Sequence, residues 1–376
     1  MNPSCLFLIN GLGMGNSTRC HAVIENLAEA GVSVHVLTSG NGLAYFDQKK
    51  EVASVTPMES FFYSGKQGGI SGWATLMTLP TLLKRAKKKR AQLTALLSRL
   101  DPDAAVIDSE YSIAPLRRKK VPIIGLNTSE FVVTEYLKHR KVARGVRSHF
   151  WFVEFSDYLF HKRACDLILS PFPIRTPTRH PKFKRIGLIV RRAVLERVLG
   201  ETKKASERGK IPRVVFMLSG SVHASNIPFE RFSLPFQVDV VGRSGASTDQ
   251  VTYHGRKMDN TQLLADADVL VINGGYSAVS EAFVLNKPVF VVPVPGHAEQ
   301  FVNAHLVQDL GLGRIATEDN VLDQLLKYYE TGGWKASQAK SAAFEINGAR
   351  EASETILGIA RAGKVSALLP ALAPVR

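Results

Sequence analysis

The chain has 376 residues, of which 45% are hydrophobic and 22% are charged, with a net charge of +15. This composition is typical of globular proteins and excludes a disordered or collagen-like chain, and the length favours two domains. No apolar run reaches the roughly 18 residues that a membrane-spanning helix needs.

Apolar runs alternate with amphipathic stretches along the first half, which predicts an α/β fold with parallel sheets. Predicted strands there lie at residues 5–9, 33–37, 105–107, 122–125, 166–169 and 185–190. Helices are expected between them near residues 18–30, 76–99, 113–120 and 146–163. Residues 57–72 are rich in glycine, serine and aromatic residues and are predicted to form a loop.

The second half repeats this alternation after a polar stretch, residues 196–211, that lacks apolar periodicity and is predicted to be a linker. We therefore expect an N-terminal domain at 1–195, a second domain at 212–345, and a C-terminal helix and tail at 346–376. Predicted strands of the second half are 213–218, 237–241, 251–253, 269–272 and 289–292, with helices near 322–329 and 349–361.

A glycine-rich turn follows the first strand, and Gly13 lets the backbone approach a ligand closely. The spacing is not G-x-G-x-x-G, and no acidic residue follows the second strand, so a transferase is favoured over a dinucleotide dehydrogenase. A second glycine loop follows strand 213–218, where Gly220 and Ser221 can contact phosphate oxygens. Each loop can also be explained as a tight turn or a helix cap.

Residues 273–300 contain two successive passages from a strand end to a helix start. Gly274, Gly275 and Ser277 form the first passage, which offers N–H groups and a helix dipole to a diphosphate. Glu281 lies one helical turn further on and can accept hydrogen bonds from ribose hydroxyls; the alternative is a solvent-exposed helix glutamate.

The second passage begins a helix at His297, Glu299 and Gln300. A carboxylate beside an amide suits sugar hydroxyls, which both donate and accept hydrogen bonds. The two passages together predict a site for a nucleotide sugar.

The motifs N-G-G-Y-S-x-x-S-E, K-P-V-F-V-V-P and H-A-E-Q-x-x-N-A resemble the donor-site signature of GT-B glycosyltransferases. They are nearest to family 28, which contains the peptidoglycan N-acetylglucosamine transferase and monogalactosyldiacylglycerol synthase, and they are similar to those of related UDP-glycosyltransferases. The resemblance implies two Rossmann-like domains with parallel sheets facing across a cleft. It also implies an inverting, metal-independent hexosyltransferase that uses a UDP-sugar as co-substrate and no cofactor.

The resemblance also assigns roles to individual residues. Diphosphate would be bound by Gly275 and Ser277, ribose by Glu281, and the donor sugar by Glu299 and Gln300. The loop whose backbone holds the nucleobase would consist of Arg256, Lys257 and Met258, and Asn303 matches an asparagine of the following helix.

One position departs from the family pattern. The opening turn of these families usually ends in a histidine near the acceptor, whereas this chain has Asn16, whose amide cannot take a proton. Asp108 and Glu110 follow strand 105–107 and are expected to project into the cleft, where one of them would be the base. Alternatively, the acceptor is acidic enough to need little help, or the protein is catalytically weak.

The charge excess lies in the first half: residues 1–200 carry 30 Lys and Arg against 15 Asp and Glu, and residues 201–376 carry 18 of each. This asymmetry predicts an anionic partner, such as a glycolipid or another anionic acceptor. The basic cluster at 84–90 predicts docking of residues 76–100 on an anionic membrane; the alternative is a core-packed helix with a solvated cationic face. The aromatic run at 150–160 is expected to be core.

The sequence contains no nucleic-acid-binding pattern, and a nucleic acid is not expected as a partner. Three widely spaced cysteines, Cys5, Cys20 and Cys165, favour a reducing, cytoplasmic location, and no metal site is predicted. The basic cluster extends this expectation to peripheral association with the inner face of the membrane. Two other functions fit the same motifs. One is a UDP-N-acetylglucosamine 2-epimerase, and the other is a non-catalytic nucleotide-sugar-binding subunit.

Overall fold

The structure is a computed structural model. It describes residues 2–11, 13–59, 72–174, 176–178, 180–200, 211–218, 227–229, 232–333 and 344–363, with backbone alone for 72–83 and 200. The chain forms two compact units. The first comprises Met1–Val133, Trp151–Val190 and Glu345–Arg376, and the second comprises Thr134–Phe150 and Arg191–Phe344.

The first unit is built on a sheet of seven parallel strands. The strands are β1 (Ser4–Ile9), β2 (Ser33–Thr38), β3 (Ser54–Pro57), β4 (Ala104–Asp108), β5 (Ile123–Leu126), β6 (Leu167–Pro171) and β7 (Phe183–Ile186). Their order is β3-β2-β1-β4-β5-β6-β7, so the winding direction reverses between β1 and β4. This arrangement is the doubly wound Rossmann-like sheet.

Helices connect the strands of the first unit. They are α1 (Met14–Glu29), α2 (Asn41–Phe46), α3 (Gly72–Leu97), α4 (Ala114–Arg118), the start of α5 (Ser129–His139), and α7 (Phe155–Ala164). A C-terminal helix, α13 (Gly348–Ala362), completes this unit.

Side chains of β1 alternate between the two faces of the first sheet. Phe7 packs in a cluster with Leu27 of α1 and Ile356 of α13, whereas Leu8 packs on the other face with Leu93 of α3. Both faces are therefore covered, which explains why the strand sequence is almost continuously apolar.

The second unit repeats the arrangement with six parallel strands. They are β8 (Arg213–Met217), β9 (Gln237–Val241), β10 (Val251–Gly255), β11 (Val269–Ile272), β12 (Val289–Val291) and β13 (Gly313–Ile315), in the order β10-β9-β8-β11-β12-β13. Its helices are the end of α5, α6 (Arg147–His149), α8 (Arg192–Gly200), α9 (Thr261–Asp266), α10 (Tyr276–Val284), α11 (Ala298–Asp309) and α12 (Val321–Glu330). The winding reverses between β8 and β11.

The prediction of two Rossmann-like domains with parallel sheets is confirmed. Apart from the segment predicted at 185–190, which forms β7 at Phe183–Ile186, the predicted strands agree with the observed ones to within two residues. Strands β3 and β13 were not predicted because they are short and only partly buried. Part of the predicted loop, residues 60–71, lies outside the described residues.

Four segments differ from their predicted assignment. Residues 134–150 belong to the second unit although they precede the predicted linker, and α13 belongs to the first unit rather than standing apart. Residues 196–200 of the predicted linker form the end of α8. The aromatic run is buried at Phe150, but Phe152 is 80% exposed, so the expectation of a core stripe is wrong there. Among the helices of the described part, none has both the length and the apolarity to cross a bilayer.

The return of the chain to the first unit depends on close backbone contact at Gly348. Its N–H donates to the Leu188 carbonyl at 3.1 Å, and a Cβ at this position would lie 1.9 Å from the Gly187 carbonyl oxygen. We expect Gly348→Ala to lower the unfolding free energy by about 1–3 kcal/mol through overpacking, although alanine is otherwise the better helix former. Thermal and urea unfolding would measure this change.

The matched control is Gly145→Ala, because a Cβ there meets no atom of the described residues within 4 Å. Equal unfolding transitions for the two variants would contradict the close-contact argument.

Candidate functional site

Ligands of doubly wound sheets bind beyond the carboxyl ends of the strands where the winding reverses. In the first unit these ends are Ile9 of β1 and Asp108 of β4, which are paired in register. In the second unit they are Met217 of β8 and Ile272 of β11, which are paired likewise. Most of the predicted site residues follow these strand ends or the end of β12.

The ends of β1 and β4 are joined by hydrogen bonds. The Asn10 N–H donates to the Asp108 carbonyl at 3.1 Å, and Asn10 Nδ2 donates to the Ser109 carbonyl at 3.2 Å. Ser109 has φ of 52°, a left-handed conformation that non-glycine residues seldom adopt and that is concentrated at functional sites. The loop after β4 is thus held in one strained conformation.

Asn16 lies in the first turn of α1 and is half-buried. Its Oδ1 accepts from Arg19 Nη2 at 3.1 Å, and its Nδ2 donates to the Asn10 carbonyl at 3.4 Å. A guanidinium has only donors, so the contact with Arg19 fixes which end of the amide is the oxygen. A Cβ on nearby Gly13 would meet no described atom within 4 Å.

Asp108 is fully buried and accepts from Arg19 through both carboxylate oxygens. Arg19 Nη2 lies 2.7 Å from Oδ1 and 2.8 Å from Oδ2, and Nε lies 3.1 Å from Oδ2. Burial raises the pKa of Asp108, and the Arg19 guanidinium opposes that rise. The expectation that Asp108 projects into an open cleft is therefore wrong, and its role as a base remains a prediction.

Glu110 is bound in the same manner by a lysine of α3. Lys89 Nζ lies 2.8 and 2.9 Å from the two carboxylate oxygens, and each side chain is only 1% exposed. Burial raises the pKa of Glu110 and lowers that of Lys89, while each charge opposes the shift of the other. Glu110 is therefore buried and does not project into an open cleft as expected. The catalytic role of Glu110 stays a prediction.

In the second unit, the turn after β11 carries the predicted diphosphate contacts. Gly274 has φ of 85°, which favours glycine, and its carbonyl accepts from Asn303 Nδ2 at 2.7 Å. Gly275 precedes α10 without a side-chain cap among the described residues, and a Cβ there would meet no described atom within 4 Å. Ser277 follows in the first turn and is half-buried. The described residues thus leave room for a bound group beside Gly275 at this helix start.

Glu281 is buried, so the alternative of a solvent-exposed helix glutamate is wrong. Its carboxylate accepts from Arg191 at 2.6 Å through Nε and at 2.8 Å through Nη2. Arg191 Nη2 also donates to Asn260 Oδ1 at 2.8 Å, and Nη1 lies 3.5 Å from Asp259 Oδ1. Arg191 therefore links Glu281 to the loop after β10. Within that loop the predicted nucleobase contacts are all exposed, namely Arg256, Lys257 and Met258.

The start of α11 is capped by two histidines. His297 Nδ1 accepts from the Gln300 N–H at 3.5 Å, and His149 Nδ1 accepts from the Ala298 N–H at 3.4 Å. The centroids of the two imidazole rings are 4.9 Å apart. Gln300 Oε1 accepts from the Val294 N–H at 2.8 Å, which identifies the other amide atom as the nitrogen donor. Glu299 beside it is half-buried.

One further cluster has the chemistry of a divalent-cation site. Ligand atoms of His21, Glu25 and Glu51 lie within 4.8 Å of one another. His21 Nδ1 contacts the Tyr45 hydroxyl at 3.2 Å, and Nε2 lies 3.5 Å from Glu51. Glu51 precedes β3, at the amino end of the sheet, so this cluster is not part of the candidate site.

Comparisons with known proteins agree with this geometry. The family model described as glycosyl transferase family 1 matches residues 4–329. This chain belongs to that glycosyltransferase family. An uncharacterized glycosyltransferase of Methanosarcina acetivorans is 24% identical over 328 residues, covering 82% of this chain and 84% of the relative.

Solved structures show the same fold. MurG of Acinetobacter baumannii has a TM-score of 0.61 and 15% identity, with 95% of this chain and 100% of MurG covered. CalG4, the calicheamicin glycosyltransferase, has a TM-score of 0.58 and 19% identity, with both chains fully covered. The resemblance to GT-B glycosyltransferases predicted from the motifs is thereby confirmed.

The candidate site contains residues that sequence reasoning did not identify. Predicted site residues are bound by Arg19, Lys89 and Arg191, and His149 caps the helix that carries Glu299 and Gln300. Each of these four residues is distant in the sequence from the residue that it contacts. The only sequence signal for any of them is the pair Arg191–Arg192 directly after the strand predicted at 185–190. Gly220 and Ser221 lie outside the described residues.

The histidine pair predicts a pH-dependent stability. Burial lowers the pKa of His297 from 6.5 to about 4. The pKa of His149 is also lowered to about 4, by burial and by the charge of His297. Below pH 6.5 the unfolded chain takes up protons that the folded chain refuses, so the stabilisation is full above pH 6.5 and declines toward pH 4. We expect the melting temperature to fall across this window, and to fall less in His149→Gln. Parallel melting curves against pH for wild type and variant would refute this.

Proposed function

We propose that this glycosyltransferase moves a hexosyl group from a UDP-sugar to an acceptor held by the first unit, in the cytoplasm. The observation that carries the donor assignment is the buried Glu281 carboxylate, bound by Arg191 and thereby tied to the loop after β10. The two arginine contacts leave lone pairs on the carboxylate oxygens, which can accept from ribose hydroxyls. A similar structure, LpCGTa in complex with UDP, supports the choice of nucleotide; its TM-score is 0.62 at 15% identity.

The diphosphate would lie at the start of α10. Backbone N–H groups after Gly275, the Ser277 hydroxyl and the positive end of the helix dipole favour an anion there. The donor sugar would be held by Glu299 and by the amide nitrogen of Gln300, whose oxygen is bound by the Val294 N–H.

The reaction that fits this site is a single displacement. The acceptor oxygen attacks the anomeric carbon from the face opposite the diphosphate, which inverts the configuration. Charge that develops on the leaving diphosphate would be stabilised by the N–H groups and hydroxyl at α10, so we propose no obligatory metal and no cofactor.

Replacing Glu281 tests the donor site. We expect Glu281→Gln to weaken UDP binding by about 1–3 kcal/mol, because a neutral amide is a poorer acceptor for ribose hydroxyls and leaves Arg191 without its charge partner. Isothermal titration calorimetry with UDP would measure the loss, and thermal unfolding of the variant would confirm that it is folded.

The control is Glu330→Gln, an exposed glutamate at the end of α12 in the same unit. An unchanged UDP affinity in folded Glu281→Gln would remove Glu281 from the site. Incubation with UDP-sugars alone separates the alternatives: epimerised sugar would indicate the epimerase, and tight UDP binding without turnover on any acceptor would indicate a non-catalytic subunit.

We further propose that α3 brings the first unit to an anionic membrane, where a lipid-linked acceptor would be found. Lys84, Lys87 and Arg90 are exposed on this helix, whereas Leu93 and Leu97 of its last turns are buried in the core. The described part of α3 thus combines a packed face with a cationic one. Each basic residue near an anionic surface contributes about 1 kcal/mol.

We expect the triple variant Lys84→Gln, Lys87→Gln and Arg90→Gln to bind vesicles containing phosphatidylserine more weakly than wild type does. Co-sedimentation at low and high salt would measure this, since screening weakens the attraction. The control removes the same charge elsewhere on the first unit, by substituting glutamine for the exposed Arg118, Lys119 and Lys120. Equal losses in the two triple variants would contradict a specific membrane surface on α3.

A further inference from the structure

Three buried polar side chains of the first unit each have one atom without a hydrogen bond, near the carboxyl ends of β5 and β6. Among the described residues, no partner is present for Glu130 Oε2, Asn127 Nδ2 or Ser170 Oγ. The three residues are only 7%, 2% and 0% exposed. A buried polar atom without a partner costs free energy, and native proteins contain few of them. Three such atoms at one edge of a sheet indicate a site for a bound group.

The two carboxylate oxygens of Glu130 differ in their contacts. Oε1 accepts from Arg185 Nε at 3.0 Å, from Arg185 Nη2 at 2.7 Å and from the Thr178 hydroxyl at 3.2 Å. Oε2 accepts from none of the described residues, although the side chain is only 9% exposed. The guanidinium balances the charge of the carboxylate and fixes its position, which leaves Oε2 as an acceptor for a bound molecule.

Asn127 supplies a donor close to Glu130 in the chain. Its Oδ1 accepts from the Ser129 N–H at 3.0 Å and from the Ser129 hydroxyl at 2.6 Å, which identifies the other amide atom as Nδ2. A Cβ on Gly125 would lie 3.4 Å from Asn127 Nδ2 and 3.3 Å from Ile168 Cγ1. The amide nitrogen is therefore on the face of the first sheet that carries Ile168.

Ser170 and Arg185 share that face. Ile168 of β6 and Phe183 of β7 pack in one hydrophobic cluster, on one side of the sheet. Residues two apart in a strand point to the same side, so Ser170 follows Ile168 and Arg185 follows Phe183. The partner of Glu130 thus lies on the same side as the two atoms on β6 and after β5.

Neighbouring strands bring these residues together. The Asn127 N–H donates to the Leu169 carbonyl at 3.3 Å, and Ser170 is paired in register with Arg185. Adjacent strands are about 4.8 Å apart, so the positions follow one another along the edge. We call Asn127, Ser170 and Glu130, which is held by Arg185, the polar row. It lies on the strands that follow β4 in the sheet order.

The polar row combines an acceptor with a donor. Glu130 Oε2 can only accept, Asn127 Nδ2 can only donate, and Ser170 Oγ can do either. Hydroxyl groups also do both, so a molecule with several neighbouring hydroxyls can satisfy all three atoms. A phosphate would be repelled by the Glu130 carboxylate, and an ammonium would meet the Arg185 guanidinium beside it.

We propose that the acceptor is a neutral polyhydroxylated molecule, such as a sugar, whose hydroxyl groups bind Glu130 Oε2, Asn127 Nδ2 and Ser170 Oγ. The inference rests on the proposed function, in which the first unit holds the acceptor. Because the three atoms are buried, only a group that projects from the ligand, as a hydroxyl does, reaches them. A glycolipid with a sugar head group meets this requirement.

Probe acceptors of three kinds test the inference. UDP release from a UDP-sugar that the protein binds is measured with the 4-nitrophenyl β-glycosides of glucose, galactose, mannose and N-acetylglucosamine. It is also measured with 4-nitrobenzyl alcohol, which has one hydroxyl, and with the anion 4-nitrophenyl phosphate. We expect kcat/KM for at least one glycoside to exceed the values for the alcohol and the phosphate by about tenfold or more, the scale of one hydrogen bond to a charged group.

The variant Ser170→Ala separates acceptor binding from a structural role. The Ser170 hydroxyl has no hydrogen bond within the described part of the chain, so its removal should leave the melting temperature equal or higher. The KM for the preferred glycoside should nevertheless rise by about threefold or more. The control is Ser353→Ala, in which a buried serine of the same unit loses its hydrogen bond to the Arg350 carbonyl. It should lower the melting temperature and leave that KM unchanged.

The variant Glu130→Gln replaces the acceptor atom Oε2 with an amide donor of the same shape. We expect the glycoside KM to rise by about tenfold or more, while calorimetry gives an unchanged affinity for UDP. A purely structural role of Glu130 would lower the melting temperature and leave the preference for the glycoside over 4-nitrobenzyl alcohol intact.

Two results would overturn the inference. One is that no glycoside raises UDP release above the rate without acceptor, although UDP binds. The other is an unchanged glycoside KM in folded Ser170→Ala and Glu130→Gln, which is the result expected if water alone satisfies the three atoms. Failure to bind UDP would instead contradict the proposed function, so the two failures are distinguishable.

Discussion

The reversal of winding in each parallel sheet is the constraint on which the candidate site depends. Crossovers on opposite sides of the reversal diverge, which is why ligands of doubly wound sheets bind beyond strand ends such as those of β1 and β4, and of β8 and β11. At Gly13 and Gly275, which precede the helices that follow β1 and β11, an added Cβ would meet no described atom within 4 Å.

Two buried ion pairs set the chemistry of the first unit's edge. Moving a charge out of water is costly, and pairing recovers the cost only when the geometry is good. Arg19 on Asp108 and Lys89 on Glu110 both have such geometry, with contacts to both oxygens. The same contacts fix the orientation of both carboxylates, while burial raises the pKa of each and the neighbouring cation opposes that rise.

The sequence predicts those parts of the molecule that depend on local pattern. Buried strands such as Val269–Ile272 are continuous apolar runs, and Glu281 is identified by its distance from the glycine turn. Its partner Arg191 lies 90 residues away, and the partners of Asp108 and Glu110 lie 89 and 21 residues away. No periodicity links such positions. The predicted openness of both carboxylates failed for this reason, since burial is decided by the cations that pack against them.

The pairing of Arg191 with Glu281 has a consequence for donor binding. Two parallel hydrogen bonds from one guanidinium fix the plane of the Glu281 carboxylate. The third contact, to Asn260, fixes the loop after β10 relative to that plane. Ribose and nucleobase would thus meet a preorganised surface, and the free energy of their contacts would not be lost to ordering the protein.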